Sequence, residues 1–276
     1  MKISCAVFDL DGTLLTPQNT ISETDLKTLR TLSDEGVRIV IATGRSELQI
    51  REYVHLLGIS DPVITCNGGV IINPTTREIL HRKFIRDVDA KAMVDSFEKM
   101  GADYLMYTPD IVYHAENSER IKFFFEYNKK VDEKFRVPIK SISEYPKDVE
   151  YKNVIKLLLL GDRRDIPNLY KKFGNEDTLT IVCSGRDRGG LDLLDIMPEN
   201  TTKGSGVEIL AQKLNIPISE VVAFGDSAND EEMLKTAGFS VAMGNADENI
   251  KQIADFVTKK NDECGITHAF LHIAEL

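Results

Sequence analysis

The chain has 276 residues, of which 42% are apolar and 28% are charged. This composition is typical of globular domains and excludes disordered and fibrous classes. Its 44 acidic and 34 basic residues give a net charge of −10. Such a charge opposes attraction to nucleic acid and to anionic membrane surfaces, so we expect neither as a partner.

Four cysteines, Cys5, Cys66, Cys183 and Cys264, are widely spaced and form no CxxC pair. This spacing favours neither a zinc site nor a disulfide framework, so we expect reduced, mostly buried thiols. The N-terminal sequence has a short apolar run without a small-residue cleavage pattern. No apolar stretch reaches the roughly 18 residues that a membrane helix needs. We therefore expect a cytoplasmic protein.

In chain order, the first elements alternate between strand and helix. Residues 3–8 form a short apolar run that predicts a buried strand, and residues 22–35 predict a helix. Ser22 with Asp25 resembles a capping box at the start of this helix, and Gly36 fits its C-terminal end. Strand, helix and strand are predicted again at residues 37–42, 46–57 and 62–66. Alternation of this kind indicates a parallel sheet covered by helices.

From about residue 70 the pattern changes to short paired strands, with Asn73 and Pro74 supplying a turn. The same region predicts helices at residues 87–100, 121–130 and 166–173. Strands that look antiparallel to their neighbours are predicted at residues 103–115, 154–160, 178–184 and 191–197. This change of pattern indicates a separate α+β unit inserted into the first one.

After Pro198 the strand and helix alternation returns. Helices are predicted at residues 203–214, 230–237 and 247–254, and strands at residues 221–224 and 240–243. The predicted fold is α/β, with a Rossmann-like, doubly wound parallel-sheet core of residues 1–82 and 194–276. An α+β domain of residues 83–193 is inserted into this core.

Polar residues follow the predicted parallel strands at the points where these strands end. Asp9 and Asp11 follow the first strand, Thr43 and Gly44 follow the second, and residues 226–230 follow the strand VVAF. Ligands of open parallel sheets bind outside the carboxyl ends of the strands, so we expect substrate there.

These residue types suit phosphoryl transfer. The carboxylate of Asp9 can attack phosphorus, and Asp11 can protonate the leaving group and then activate water. Gly12 allows a sharp turn that brings backbone N–H groups onto the phosphoryl group. Thr43 can donate a hydrogen bond to a phosphoryl oxygen, and Lys203 can neutralise developing charge.

Several carboxylates around an anionic substrate require a cation, and hard oxygen ligands suit Mg²⁺. We expect Asp9, Asp226 and the carbonyl of Asp11 to be direct ligands. Asn229 and Asp230 would orient metal-bound waters and Asp226.

Four ordered motifs contain these residues: DLDGT at residues 9–13, ATGR at 42–45, KG at 203–204 and GDSAND at 225–230. They resemble the four motifs of the haloacid dehalogenase superfamily, and the resemblance covers essentially the whole chain. The insertion of more than a hundred residues between the second and third motifs is similar to the large α/β cap of the Cof-type branch, subfamily IIB. So are NGG at residues 67–69 and NDECGITHAF at residues 261–270, although Cys264 stands where relatives often carry an acidic residue.

The resemblance implies roles for individual residues: nucleophile Asp9, acid/base Asp11, phosphate-binding Thr43 and Lys203, and metal-binding Asp9, Asp11 and Asp226 with Asn229 and Asp230 in support. It also implies Mg²⁺-dependent hydrolysis of a small sugar phosphate, nucleotide or cofactor phosphate beneath the cap. A phosphomutase of the same superfamily and a non-catalytic phospholigand sensor are the alternatives, and Asp11 argues against the sensor. We expect a monomer or a weak homo-oligomer.

Three predicted substrate contacts have open alternatives. Arg45 either contacts the substrate phosphate or pairs with a neighbouring carboxylate, and Asn67 is either a pocket amide or a turn residue. Arg186 and Arg188 either clamp an anionic part of the substrate or lie in a solvated turn with Asp187. The aromatic residues 123–127 favour a cap core or an interface, and His268 and His272 favour a structural role.

Overall fold

The computed structural model describes residues 1–146, 151–187 and 189–275. Contacts divide the chain into two compact units, each built from separate stretches of sequence. The first unit comprises Met1–Gly44, Val54–His81 and Thr202–Leu276, and the second comprises Arg45–Tyr53 and Arg82–Thr201. The predicted domain boundaries at residues 82/83 and 193/194 stay a prediction.

In the described residues the strands are β1 Cys5–Phe8, β2 Arg38–Ile41, β3 Val63–Thr65, β4 Val70–Ile72, β5 Ile79–Arg82, β6 Tyr104–Tyr107, β7 Val112–His114, β8 Ile139–Ser141, β9 Lys156–Gly161, β10 Leu179–Arg186, β11 Asp192–Pro198, β12 Val221–Gly225, β13 Phe239–Ala242 and β14 Phe256–Val257. The α-helices are α1 Glu23–Asp34, α2 Arg51–Leu57, α3 Asp87–Met100, α4 Ile121–Lys130, α5 Ile166–Phe173, α6 Lys203–Leu214, α7 Glu231–Thr236, α8 Glu248–Ile253 and α9 Gly265–Ile273.

The first unit contains a five-stranded parallel sheet in the order β14-β13-β12-β1-β2. Its strands are short apolar runs, and β1 is buried along its whole length. Val7 packs with Val207 and Leu210 of α6, whereas the Phe8 ring stacks on Phe224 at 4.7 Å between ring centroids. Apolar side chains on both faces of one strand require cover on both faces. The predicted doubly wound α/β core is confirmed.

The second unit contains a six-stranded mixed sheet in the order β10-β11-β9-β6-β7-β8. Its neighbouring strands are antiparallel, as predicted, except that β7 and β8 run parallel. The reason is that α4 crosses from the end of β7 to the start of β8, and a crossover helix joins parallel strands. This unit is the inserted cap.

The first helix shows how local sequence sets an element's ends. The Ser22 hydroxyl accepts a hydrogen bond from the Asp25 N–H at 3.3 Å, satisfying one of the unpaired donors at the start of α1. Gly36, just beyond its end, has a φ of +91°, a conformation that favours glycine. The Ser22 cap and the C-terminal glycine are confirmed, but the reciprocal half of the predicted capping box is not: Asp25 Oδ1 accepts from the Thr267 N–H at 2.8 Å.

Two predicted elements differ from the structure. The single helix predicted for residues 46–57 is a 3₁₀ turn at Glu47–Gln49 followed by α2. The Gln49 side chain accepts hydrogen bonds from the Ser46 N–H and hydroxyl, which caps the start of the 3₁₀ turn, and Ile50, with a φ of −114°, ends this turn before α2 begins. The strand predicted for residues 62–66 is β3, which pairs antiparallel with β4 in a separate three-stranded sheet.

The four cysteines are free thiols, with Cys5 and Cys66 buried and Cys183 and Cys264 half-buried. Burial, the largest influence, raises the pKa of Cys5 to about 12, so this thiol stays protonated at neutral pH. Within the described part of the chain, no helix combines the length and apolar character needed to cross a membrane.

Candidate active site

Two neighbouring strands bring the first and last motifs to the same edge of the core sheet. β1 and β12 are parallel and paired in register from Cys5 with Val221 to Phe8 with Phe224. Asp9 follows β1 directly, and its N–H donates to the Phe224 carbonyl at 3.0 Å. Asp226 follows β12 in the same way, so these two aspartates emerge side by side.

A buried lysine joins two aspartates from different loops. Lys203 is the first residue of α6, and its Nζ lies 2.5 Å from Asp9 Oδ1 and 2.6 Å from Asp230 Oδ1. The Thr202 side chain caps this helix by accepting from the Ser205 N–H at 3.0 Å. The three charged groups are buried, with side-chain exposures of 1% for Lys203, 5% for Asp9 and 0% for Asp230.

Burial shifts the proton affinities of this cluster. It raises the pKa of Asp9 well above the ordinary value, although the Lys203 ammonium opposes the shift. Burial, then repulsion from Asp230, raises the pKa of Asp226 to about 7. Burial alone would lower the pKa of Lys203, but the Asp230 and Asp9 carboxylates outweigh it and raise that pKa. Lys203 is therefore a permanent cation at the site.

The turn after Asp9 packs closely against the Asp226 carboxylate. Gly12 has a φ of +85°, and a side chain at this position would overlap the Asp226 carboxylate. The Thr13 hydroxyl donates to Asp226 Oδ1 at 3.0 Å. Asp11 lies in this turn and is exposed. Sequence reasoning missed Thr13, although the DLDGT motif that contains it could have pointed to this residue.

Asp230 shapes the loop that carries Asp226. Its Oδ2 accepts from the N–H groups of Asp226 at 2.9 Å and Ser227 at 3.0 Å. Gly225 makes room for this arrangement, because a Cβ there would lie 2.5 Å from Asp230 Cβ. Asp230 thus fixes the backbone on which Asp226 is mounted.

Asn67 connects the residues that follow β3 to those that follow β2. The N–H of Thr43, which is buried, donates to the Ile64 carbonyl at 2.9 Å, and the Thr43 carbonyl accepts from the Asn67 N–H at 3.0 Å. Asn67 adopts a φ of +52°, and its side-chain oxygen accepts from Asn229 Nδ2 at 3.1 Å. Asn67 is thus a turn residue whose amide also contacts the Asp226 loop. Gly44 follows Thr43 and is half-buried.

An acidic cluster in this unit fits a metal ion. Among the residues that the structure describes, Asp9, Asp226 and Asp230 each offer a carboxylate oxygen, and these oxygens lie within 4.8 Å of one another. Three carboxylates face the single Lys203 ammonium, and repulsion between them contributes to the raised pKa values of Asp9 and Asp226. Hard oxygen donors with excess negative charge are what divalent cations such as Mg²⁺ bind.

Two predicted substrate contacts belong to the second unit. The Arg45 guanidinium lies over the Tyr53 ring, 5.3 Å from its centroid. Arg186 Nε lies 3.0 Å from Asp192 Oδ1, and Arg163 pairs with the same carboxylate at 2.9 Å. Hydrogen bonds from Arg163 and Arg186 hold the pKa of Asp192 well below its usual range. The other arginine of the predicted clamp, Arg188, lies outside the described residues.

Two further predictions favour a cap core or an interface for the aromatic residues of α4 and a structural role for His268 and His272. In α4, Phe124 is buried in the cap core, whereas Phe123 and Phe125 are partly exposed. In the first unit, His268 Nδ1 lies 2.9 Å from the Thr258 hydroxyl, and the His272 ring stacks on Phe256 at 4.1 Å.

Comparisons with known proteins agree with this geometry. A family model described as haloacid dehalogenase-like hydrolase matches residues 6–270. Phosphatase YwpJ of Bacillus subtilis is 31% identical over 284 residues, covering 96% of this chain and 98% of YwpJ.

Two further relatives have named substrates. The 5-amino-6-(5-phospho-D-ribitylamino)uracil phosphatase YcsE of Bacillus subtilis is 28% identical and covers 99% of this chain and 96% of its own. The solved structure of BT4131, a HAD subclass IIB sugar phosphatase, matches with a TM-score of 0.83 and 27% identity, over 99% of this chain and 100% of that one. This chain therefore belongs to the haloacid dehalogenase-like hydrolases and is an enzyme of their Cof-type, subfamily IIB phosphatase branch.

Proposed function

We propose that this phosphatase hydrolyses small phosphorylated metabolites through a phosphoaspartate intermediate on Asp9. The observation that carries the proposal is the buried Asp9 carboxylate at the end of β1, held 2.5 Å from Lys203 Nζ. A carboxylate oxygen of Asp9 attacks phosphorus while the P–O bond to the leaving group breaks, and Asp11 protonates the departing oxygen. Asp11 then takes a proton from water, which attacks phosphorus and releases inorganic phosphate and free Asp9.

Mg²⁺ is the proposed cofactor. The carboxylates of Asp9 and Asp226 and the carbonyl of Asp11 would hold it, with Asp230 and Asn229 in support. When bound, Mg²⁺ supplies positive charge that offsets repulsion between these carboxylates and the phosphoryl oxygens. The cluster of three aspartates and the raised pKa of Asp226 support this assignment.

The phosphoryl group itself would be held by residues of the first unit. The Thr43 hydroxyl would donate to one of its oxygens, and the Lys203 ammonium would neutralise charge developing on it. Backbone groups at Gly12 and Gly44 and the Asn67 side chain would complete the pocket. Arg45 is proposed to contact the substrate phosphate, and Arg186 is proposed to contact another anionic part of the substrate.

The substrate class is inferred from relatives. YcsE is named for a ribityl phosphate and BT4131 for sugar phosphates. We expect this enzyme to act on a sugar phosphate, nucleotide or cofactor phosphate.

Phosphate release from a panel of such esters and from p-nitrophenyl phosphate tests the proposal, with and without Mg²⁺ and with Asp9→Asn as the control. We expect magnesium-dependent turnover by the wild type and none by the variant. Isomerised product with little free phosphate would instead identify a phosphomutase. Ligand binding without turnover of any ester would identify a sensor and contradict the proposal.

A further inference from the structure

The loop between β13 and α8, residues 243–247, contacts both loops that carry the active site; we name it the brace loop. The Asp247 N–H donates to the Asp226 carbonyl at 3.0 Å. On the other side, Asn245 Nδ2 donates to the Gly12 carbonyl at 2.8 Å. We name the turn that follows Asp9, residues 10–15, the nucleophile turn. The brace loop therefore holds the nucleophile turn and the Asp226 loop in one arrangement.

The orientation of the Asn245 amide is determined by a second asparagine. Asn245 Oδ1 accepts from the Asn261 N–H at 3.0 Å, so the opposite end of the amide must be the donor toward Gly12. Asn261, which is buried, donates its own side-chain Nδ2 to the Leu15 carbonyl at 2.7 Å. The two asparagines thus hold both ends of the turn Gly12–Leu15.

The backbone at Gly244 allows the brace loop to lie close to residues 259–261. The Gly244 N–H donates to the Lys259 carbonyl at 3.0 Å, and a Cβ at Gly244 would lie 2.8 Å from the backbone nitrogen of Lys260. A glycine at this position lets the brace loop lie against the segment that carries Asn261.

We propose that Asn245 is a positioning residue that acts through the Gly12 carbonyl to keep Asp11 in place for proton transfer. Asp11 directly precedes Gly12, so movement of the Gly12 backbone moves the carboxyl group that must reach the leaving oxygen. This inference rests on the proposed function, in which Asp11 is the acid/base.

The proposal predicts an effect that depends on the leaving group. An alkyl alcohol leaves poorly without a proton from Asp11, whereas p-nitrophenolate leaves readily without one. Replacing Asn245 should therefore lower kcat/KM, which reports the steps up to departure of the leaving group, about ten-fold or more for an alkyl phosphate such as glycerol 3-phosphate, and much less for p-nitrophenyl phosphate. The value of kcat should fall for both esters, because Asp11 also activates water in the second step, which is the same for both.

Two variants of Asn245 separate its donor from its acceptor. Asn245→Ala removes both, whereas Asn245→Asp keeps an acceptor for the Asn261 N–H but loses the donor to Gly12. Asn73→Ala is a matched control, because Asn73 Nδ2 also donates to a backbone carbonyl, that of Ser60, at 3.0 Å and its Oδ1 accepts from the Thr75 N–H at 2.9 Å. This control removes the same kind of bonds from a turn remote in sequence from the brace loop.

Hydrogen exchange of the nucleophile turn gives a readout that does not depend on turnover. The amides of Leu14 and Leu15 donate to the carbonyls of Asp9 and Leu10, and opening of the turn exposes them. We expect faster exchange of these amides in both Asn245 variants and unchanged exchange in Asn73→Ala.

The expected result is a selective loss of kcat/KM for the alkyl phosphate together with faster exchange in both Asn245 variants. Equal losses of kcat/KM for the two esters, or losses no greater than in Asn73→Ala, would overturn the proposal. If the wild type hydrolyses no ester of the panel, the proposed function fails; if it hydrolyses others but not glycerol 3-phosphate, the alkyl ester that it turns over best replaces glycerol 3-phosphate. Unchanged exchange in Asn245→Ala would overturn the inference that the brace loop holds this turn, whether or not the enzyme is active.

Discussion

The hydroxyl of Thr13 donates a hydrogen bond to the Asp226 carboxylate at 3.0 Å. This bond joins the turn after β1 to the loop after β12, and it connects residues that lie 213 positions apart in the sequence. A hydrogen bond to the charged form of a carboxyl group lowers its pKa, so Thr13 partly opposes the effect of burial on Asp226.

Removing this hydroxyl should impair catalysis. A hydrogen bond to a charged group contributes about 1.5–3 kcal/mol, so Thr13→Val should lower kcat/KM by roughly ten- to a hundred-fold. Thr13→Ser keeps the hydroxyl and should retain most of the activity. Steady-state assays of phosphate release give kcat/KM for both variants. Equal activity of the valine and serine variants would show that the bond is not needed.

Gly12 and Gly36 form a matched pair for testing the active-site turn. Both have positive φ, but a Cβ at Gly12 would overlap the Asp226 carboxylate, whereas nothing lies within 4 Å of a Cβ at Gly36. Each alanine variant carries the backbone strain of about 1–2 kcal/mol. We expect Gly36→Ala to lower Tm by several degrees with normal kcat, and Gly12→Ala to lose activity as well. Thermal unfolding measures Tm and phosphate release measures kcat for both variants. A normal kcat in Gly12→Ala would contradict the steric argument.

Removal of metal should make stability depend on pH through Asp226. Its pKa is about 7 in the folded protein, against about 4 when unfolded. Between these values the folded chain binds a proton that the unfolded chain lacks, so the free energy of unfolding falls as pH rises. In EDTA, Tm should therefore be lower at about pH 8 than at about pH 5.5, and Mg²⁺ should restore more at the higher pH.

Asp226→Asn is the control for this pH effect. An amide does not titrate, so the fall in Tm between the two pH values should shrink in EDTA. Some fall should remain, because burial also raises the pKa of Asp9. A fall as large as that of the wild type would show that Asp226 is not the group responsible.

The cap contains its own buried ion pair. Lys156 Nζ lies 2.8 Å from Asp195 Oδ1, with side-chain exposures of 3% and 1%, and 4.7 Å from the centroid of the Tyr107 ring. Lys156→Met leaves a buried carboxylate without this cation and should cost about 3–5 kcal/mol of stability. The double variant Lys156→Met/Asp195→Leu should recover most of the loss, as measured by urea unfolding. A double variant no more stable than the single one would contradict this account.

The sequence predicted those parts of the fold that depend on local pattern. Short apolar runs identified the core strands, and Ser22 and Gly36 marked the ends of α1. The strands β8 and β14 were missed, because β8 contains one apolar residue and β14 consists of two residues, so neither forms an apolar run like the one that contains β3.

The site was predictable where its residues follow strands, and not where side chains meet across the chain. Asp9 and Asp226 were expected together because parallel strands end at one edge of a sheet. The bond from Asn245 to Gly12 depends on the conformation of two loops, which no spacing reveals. The motif DLDGT could have indicated Thr13 itself, but not its partner, which is set by how the turn after β1 lies against the β12 loop.

The place of β1 in its sheet has a consequence for how the chain folds during synthesis. β1 pairs with β2, which follows soon after it, and with β12, which leaves the ribosome more than two hundred residues later. Until then one edge of this apolar strand has no partner, and unpaired apolar edges promote aggregation. The sheet of the second unit lies wholly between β5 and α6 in sequence, so it can form first. Nascent or proteolysed chains that end before Val221 are therefore expected to need chaperone protection, and catalytic competence arises only after β12 and Asp226 have been synthesised.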